Sequence, residues 1–398
     1  MSGTIRLKHL CVGRAEYGLN IPAEQYKEEG LRLIRTTDVT EAGDLTPPES
    51  GVYVSREDAS SLALANGDVL LSRSGTLGRC LVYKSQRHGP CTFAGYLVRF
   101  RLRDGYDPRF IFYCSHSHFF RDQLALESIQ STIANFNAEK YANLPLPDWS
   151  SEASQRAISD FLDAETARID ALIEKKREIA ALTAARYNAA IDALAQHEAP
   201  MTIRLKRVAR IAYGLGQPPP LSDDGVPIIR ATNIDRGRMK SDDLIRARLE
   251  DLPLERAPLL AEGEILVVRS GALTGDSAAI TGEWIGSVPG YDLRVTPQAV
   301  EPRFLAHQLL GRFVQGQVDV IKSRAAQPHL NADELGDILI RHADLTTERS
   351  VADLLDSQRS STQELQLALA RQIDLLAEHR QALITAAVTG ELDLSEAG

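Results

Sequence analysis

The chain has 398 residues, 25% charged, 43% hydrophobic and 6% aromatic, values near the globular average that exclude a disordered, fibrous or membrane-spanning polypeptide. At about 100–200 residues per domain this length predicts two or three cores, and the start Met1-Ser2-Gly3-Thr4-Ile5-Arg6 lacks an apolar leader, so a cytoplasmic protein with no membrane partner is expected. The formal charge of −9 speaks against a nucleic-acid partner until it is divided: Lys+Arg against Asp+Glu stands at 17 to 16 over 1–145, 6 to 10 over 146–200, 17 to 18 over 201–340 and 5 to 10 over 341–398. The acid therefore concentrates in two short blocks. Cys11, Cys80, Cys91 and Cys114 form no C-x-x-C pair, which predicts reduced buried thiols and no metal.

In chain order the pattern alternates twice. Residues 1–147 carry short apolar runs such as Val69-Leu70-Leu71, broken by Gly, Pro, Asn and Asp, which predicts a mixed module of strands, turns and a few helices. Residues 148–200 turn helical after Pro145 and Pro147, with no Gly or Pro from Ser151 to Glu198. A second mixed module is expected over 201–344 and a second long helix over 345–398. Helix-packing positions are Ile158, Leu162, Ile169, Leu172 and Ile179 on the first rod and Leu355, Leu365, Leu369, Ile373 and Leu376 on the second. Two long one-faced helices bury those faces most economically on each other.

The second half repeats the first at an offset near 196 residues. Ile5-Arg6-Leu7-Lys8 recurs as Ile203-Arg204-Leu205-Lys206, Tyr17-Gly18-Leu19 as Tyr213-Gly214-Leu215, and Gly95-Tyr96 as Gly290-Tyr291. Pro108-Arg109-Phe110 returns as Pro302-Arg303-Phe304, and Phe161-Leu162-Asp163 as Leu354-Leu355-Asp356. The expected fold class is therefore α+β: two similar mixed modules joined by two long helices in an antiparallel coiled coil, with a pseudo-two-fold from tandem duplication. Such an object can contact two sites on an extended ligand at a set separation, as DNA-binding dimers do with half-sites. Because the modules diverge outside the shared framework, an asymmetric split target is expected.

The residues also carry a family resemblance over nearly the whole length. Leu144-Pro145-Leu146-Pro147, then Gln155 to Asp163, then Thr166 to Lys176, and the closing Arg380 to Gly390, resemble the specificity subunit of type I restriction-modification systems. The resemblance implies two target-recognition domains, each entering the grooves of double-stranded DNA at one half of a bipartite site, with helices that set the spacer. It also implies docking of DNA adenine methyltransferase subunits and of restriction/translocase subunits. S-adenosylmethionine, ATP and Mg would then sit on those partners, with no cofactor on this chain. The second module-to-helix junction, Asp337 to Asp344, lacks the proline pair and is expected to be less rigid.

Candidate DNA contacts fall in three places. Arg73-Ser74-Gly75 and Arg269-Ser270-Gly271 end an apolar strand in a glycine turn that could present arginine and backbone N–H groups to phosphate; a strand-ending turn with an internally paired arginine fits as well. Arg35 with Thr37, and Arg230 with Thr232 and Asn233, offer groups that reach base edges, although an internal cap is slightly favoured there. The polar loops before the last strand of each module supply Ser131, Thr132 and Asn135 in one copy and Lys322, Arg324 and Gln327 in the other. His116-Ser117-His118 has no companion ligands and is expected to be a surface or helix-end pair.

Catalytic signatures are missing: no G-x-x-x-x-G-K-[ST], G-x-G-x-x-G, G-x-S-x-G or H-E-x-x-H occurs, so a non-catalytic subunit is expected. The alternative from another class is a duplicated coiled-coil scaffold that binds protein at both ends and reads no DNA.

Overall fold

The computed structural model of the chain describes residues 3–129, 136–149, 151–255, 257–323 and 328–392. It forms two compact units, Met1–Lys176 with Arg371–Gly398, and Arg177–Ala370. Each unit takes one module together with a stretch of each long helix, so the unit boundaries cross the helices.

In the first unit, strands β2 (Glu16–Tyr17), β5 (Val69–Ser72), β6 (Cys80–Val82) and β8 (Leu97–Phe100) make an antiparallel sheet ordered β2-β8-β5-β6. A second sheet holds β3 (Leu31–Ile34), β4 (Val52–Val54) and β7 (Cys91–Phe93) in the order β4-β3-β7, with β3 and β7 parallel. Strand β1 (Thr4–Arg6) pairs with β9 (Pro145–Pro147), a place where prolines are tolerated because the ladder has only two strands. One-turn helices α1 (Leu7–Leu10), α2 (Arg56–Ala59) and α3 (Ser85–His88) fill the connections, followed by α4 (Pro108–His116), α5 (His118–Ile129), α6 (Ala138–Asn143) and the 47-residue α7 (Glu152–Glu198).

The second unit repeats this plan. Its main sheet is ordered β11-β19-β16-β17, from Ala209–Tyr213, Leu293–Pro297, Ile265–Val267 and Ser277–Ala279. Its small sheet is β15-β12-β18, from Ile245–Ala247, Val226–Ile229 and Val288–Pro289, again with one parallel pair. Strand β10 (Met201–Arg204) pairs with β20 (Leu339–His342), and β13 (Ile234–Asp235) with β14 (Arg238–Met239) forms a hairpin. Helices α8 (Pro302–Leu310), α9 (Arg312–Lys322), α10 (Ala332–Asp337) and α11 (Leu345–Thr389) complete it.

The apolar strands form because both of their faces are covered. Val69 and Leu71 enter the core that contains Phe100, Phe110, Tyr141, Ile158, Leu162, Ile384 and Val388, while Leu70 turns into a separate core with Ile34, Leu81 and Phe93. Ile265 and Val267 do the same with Phe304, Ile191, Val351 and Leu355, while Leu266 and Val268 join Ile229, Ile280 and Trp284. Module and long helices thus share one core in each unit, and burying each such side chain contributes about 1.5–3 kcal/mol. Within each unit the two helical stretches run antiparallel: in the first, Trp149 Nε1 donates to Val388 O at 2.7 Å, Arg380 pairs with Asp170 at 2.9 Å and Lys176 Nζ donates to Gln372 Oε1 at 2.6 Å.

The helix-packing expectation holds for Ile158, Leu162, Ile169, Leu355 and Leu369, which are buried, and in part for the half-buried Ile373 and Leu376. It fails for Leu172, Ile179 and Leu365, which are exposed. The seam between two helices is narrower than the apolar stripe each carries, so the flank of the stripe is left uncovered.

Two of the repeated motifs meet in space. Arg109 Nη1 donates to Asp160 Oδ1 at 2.7 Å and Asp163 Oδ2 at 2.8 Å, and Arg303 Nη1 donates to Asp353 Oδ1 at 2.8 Å and Asp356 Oδ2 at 2.9 Å. Cap residues Asp107 and Glu301 hold the same guanidinium groups from the module side. The second junction is no looser for its lack of prolines. Its ladder has four residue pairs against three, and the fully buried Glu348 accepts from Glu301 N, Ala343 N and the His342 ring.

Candidate nucleic-acid interface

The Arg-Ser-Gly turns occupy the same position in both modules. Each leaves the central apolar strand at a glycine with positive φ, +72° at Gly75 and +87° at Gly271, and open space surrounds the position a side chain would take. Only glycine adopts that backbone without strain. Arg73 stacks over the Tyr17 ring at 4.7 Å, and its backbone N donates to Tyr96 O at 2.9 Å. Arg269 lies between two rings, 4.8 Å from Tyr213 and 4.1 Å from Tyr291. All four tyrosines are exposed.

Two of the tyrosines are themselves fixed. Tyr17 Oη accepts from Ala138 N at 2.9 Å, and Tyr213 Oη accepts from Ala332 N at 3.2 Å, at the first residues of α6 and α10. The following glycine is obligatory in both copies: a Cβ on Gly18 would overlap Phe93 O, and one on Gly214 would overlap Gly290 O. A guanidinium held flat on a ring is oriented in advance, with about 0.5–1 kcal/mol from the cation–π contact, and its planar fork suits phosphate or guanine. The matched Tyr-Gly motifs therefore build an arginine–tyrosine platform in each module, to which Gly-Tyr adds a second ring, Tyr291, in the second. Sequence reasoning found these motifs as repeats but assigned no role to Tyr17, Tyr96, Tyr213 or Tyr291.

Electrostatics distinguishes the two platforms. Arg269 N donates to Asp292 Oδ1 at 3.2 Å, and Arg269 Nη2 is 3.2 Å from His329 Nε2. Burial pushes the Asp292 carboxyl up to about 6, against the pull of the Arg269 backbone N–H and charge. The first module has the apolar Leu97 at the matching place after Gly95-Tyr96.

The second group of expected contacts is largely spent inside the fold. Asp38 is buried and accepts from Arg35 N at 2.8 Å, Nε at 2.9 Å and Nη2 at 2.7 Å; these bonds raise the arginine pKa above its ordinary value. Arg35 is thus an internal cap partner. Asn233 is fully buried, its Oδ1 accepting from Arg230 N and its amide donating to Lys240 O at 3.1 Å and Asp242 O at 2.8 Å. It staples a turn and cannot reach a base edge. Arg230 Nη2 donates to Asp243 O. Thr37 and Thr232 are exposed between these partners. Ser74 and Ser270 are half-buried in the platform turns, Ser270 in a β-bridge with His329.

Ser131, Thr132, Asn135, Arg324 and Gln327 lie outside the described residues. Lys322 ends α9 with Nζ 3.3 Å from Asp319. His116 and His118 are the helix-end pair expected, closing α4 and opening α5, but His116 is buried and not on the surface, with Nδ1 meeting Phe112 O at 2.9 Å and Nε2 meeting Glu41 O at 3.0 Å. No group of three or more His, Cys, Asp or Glu that could hold a metal occurs among the described residues. The four cysteines are buried and free, and burial pushes the thiols of Cys11 and Cys80 up to about 12.

No protein-family model matches the chain. The type I restriction enzyme StySPI specificity subunit of Salmonella potsdam is 25% identical over 175 residues, 43% of this chain. Over that stretch the chain is similar to a type I specificity subunit. That match spans 38% of the Salmonella protein's length. Among solved structures, a chain from work on complex assembly and conformational transition of the type I R-M system aligns over 98% of both chains with a TM-score of 0.69 at 17% identity. The HsdS subunit from Thermoanaerobacter tengcongensis aligns over 98% of this chain and 97% of its own, with a TM-score of 0.47 at 16% identity. The first of these likenesses is one of overall fold. No helix among the described residues is long and apolar enough to cross a membrane.

Proposed function

We propose that this chain is the DNA-sequence specificity subunit of a type I restriction-modification complex, reading a bipartite, asymmetric target with one half-site per module. The observation that carries the reading is the arginine–tyrosine platform built twice on matched residues, Arg73 with Tyr17 and Arg269 with Tyr213 and Tyr291, amid surroundings that differ. An identical pair of surfaces would suit a palindrome; a shared platform with diverged neighbours suits two different half-sites. Arg73, Ser74, Gly75, Arg269, Ser270, Gly271 and Lys322 are the contacts this reading favours, with Thr37 and Thr232 beside them.

Methyltransferase subunits dock on the helices in this reading, supported by the exposed Leu172, Leu182, Leu365, Leu367 and Leu375 along α7 and α11. Restriction subunits join through them. The chain contributes no chemistry of its own: S-adenosylmethionine, ATP and Mg belong to the partners, in the cytoplasm. The scaffold alternative is less well supported, since it gives no reason for two half-buried arginines laid over exposed tyrosine rings at matched places.

Base-resolution mapping of methylated adenine, in a host with this chain and in the same host lacking only this chain, tests the proposal. A split asymmetric motif that disappears with the chain is the expected result. Unchanged methylation would refute it.

A further inference from the structure

A cleft of about 500 Å³ in the second unit lies between the hairpin β13–β14, residues 272–274, helix α9 and the long helices. Five cations line it, Arg236, Arg238, Arg312, Arg359 and Lys322, the last paired with Asp319 at 3.3 Å, against two carboxylates of the lining. Both carboxylates are engaged: Asp235 pairs with Lys240 at 2.6 Å, and Asp276 accepts backbone N–H groups from Arg236 at 2.9 Å and Ser277 at 2.8 Å. We propose that this cleft holds the phosphodiester backbone of DNA without regard to sequence, as an extension of the second module's interface.

The arginines that secure this fold are matched by acid: Arg99, Arg101, Arg109, Arg294 and Arg303 all lie within 4 Å of carboxylates. Those of the cleft are not. Among the described residues, Arg236, Arg238, Arg312 and Arg359 make no ion pair. Arg359 donates to Gly237 O and Arg238 to Gln366 Oε1, neutral acceptors that hold the forks in place and leave their charge uncompensated. An anion is the ligand that restores the balance, and planar guanidinium groups suit phosphate.

The placement favours a polymer over a small anion. Arg312 and Lys322 stand at opposite ends of α9, about 15 Å apart at ~1.5 Å per residue, which no single phosphate can bridge. At 3.4 Å of rise per base pair the same span covers about four steps of duplex. Residues 272–274 also continue directly from Arg269-Ser270-Gly271, so the cleft adjoins the platform. The feature is peculiar to this unit. With Arg156 matched to Arg349, positions 359, 363 and 366 correspond to Thr166, Asp170 and Ile173, and Asp170 is neutralised by Arg380.

The inference rests on the DNA-reader proposal, and one experiment separates the two. The full-length chain, purified with the methyltransferase subunits of its host, is titrated with matched and scrambled duplexes from about 50 to 200 mM salt. Arg236→Gln/Arg312→Gln is compared with the unaltered chain, since both side chains are exposed and no hydrogen bond of either is required by the fold. With about 0.9 counterion lost per phosphate contact, the slope of log K on log salt becomes shallower by about 2, so the wild-type advantage falls about tenfold across that range, equally on both duplexes. An unchanged slope overturns the cleft assignment while leaving the reader proposal intact. Inorganic pyrophosphate bound by the wild type alone, with slopes equal, overturns it too, in favour of a small anion. No salt-dependent binding by the unaltered chain removes both readings.

Discussion

Replacing Gln155 with Glu should destabilise the first unit by an amount that depends on pH in one direction only. Gln155 is buried, with Oε1 accepting from Asp107 N at 3.0 Å and Nε2 donating to Trp149 O at 2.7 Å. A carboxylate keeps the first bond and turns an acceptor onto an acceptor at the second. The lost bond and the stranded oxygen cost about 1–3 kcal/mol, and burial of the charge adds to that, for a total of about 2–4 kcal/mol at neutral pH. The folded-state pKa of the new carboxyl is raised above its unfolded value of about 4.3. The folded state then binds the proton more tightly, so the penalty is absent below about pH 4.3, where the carboxylic O–H donates to Trp149 O. It grows as pH rises through that value and levels off above the folded pKa. The chain has two tryptophans, Trp149 in this unit and Trp284 in the other, so urea unfolding followed by fluorescence in a Trp284→Phe background reports the first unit alone. An unshifted midpoint at pH 7, or a shift of the same size at pH 4.5, would refute the reasoning.

Other consequences can be checked independently. Arg73→Gln and Arg269→Gln should each relax methylation at one half-site, by about 1–3 kcal/mol of discrimination if the fork reads a base; equal loss at both halves in the methylation map would count against separate readers. Leu162→Ala, at a fully buried site, should cost about 2–5 kcal/mol, whereas Leu172→Ala on the uncovered flank should stay within about 0.5 kcal/mol, as thermal unfolding would show. Burial lowers the pKa of His307, whose ring nitrogens meet Tyr187 Oη and Asp356, so its contribution is complete above the unfolded value of about 6.5 and is lost as pH falls below it. His307→Gln should flatten that dependence when the second unit is followed through Trp284. With their pKa values pushed up and their side chains buried, the four cysteines should ignore a thiol reagent at pH 7 and all react in urea.

The duplication, the alternation of module and helix and the long rods were legible in the sequence because each leaves a periodic or collinear mark. Val69-Leu70-Leu71 and Ile265-Leu266-Val267 read as strands, and burial on both faces is why each apolar run is unbroken. The binding candidates were only partly legible. Arg73 and Arg269 were found through their glycine turns, but Tyr17 and Tyr291 reach them from strands and turns remote in sequence, and a stacking contact has no spacing signature. Arg35 and Asn233 were candidates for contact with an internal cap slightly favoured, and the cap is what they form; Arg, Asp and Asn serve caps and groove contacts equally well, and only burial distinguishes the two uses. The exposed Leu172 and Leu365 were unreadable for a similar reason, since helical periodicity reports an apolar face without saying what covers it.

The two matched arginines that join module to helix explain how reading surfaces can diverge on a constant frame. Arg109 and Arg303 each sit second in a Pro-started helix and bond a cap carboxylate behind them and two carboxylates one turn apart on the long helix ahead. Burial opposes the charge on Arg109, yet its three carboxylates hold its pKa above the ordinary value; at Arg303, Asp353 contributes most to the same shift. The fork is planar and its donors point in fixed directions, so the module cannot turn about the helix without breaking two charge-assisted bonds together. Exposed pairs of this kind add little stability, but they restrict geometry. Tyr113 and His307, at matching positions one turn further on, reinforce the joint by bonding Asp163 and Asp356 respectively. The orientation of each platform on its helix is therefore set by residues that take no part in the candidate interface. Substitutions on the platform remove none of the bonds that set that orientation.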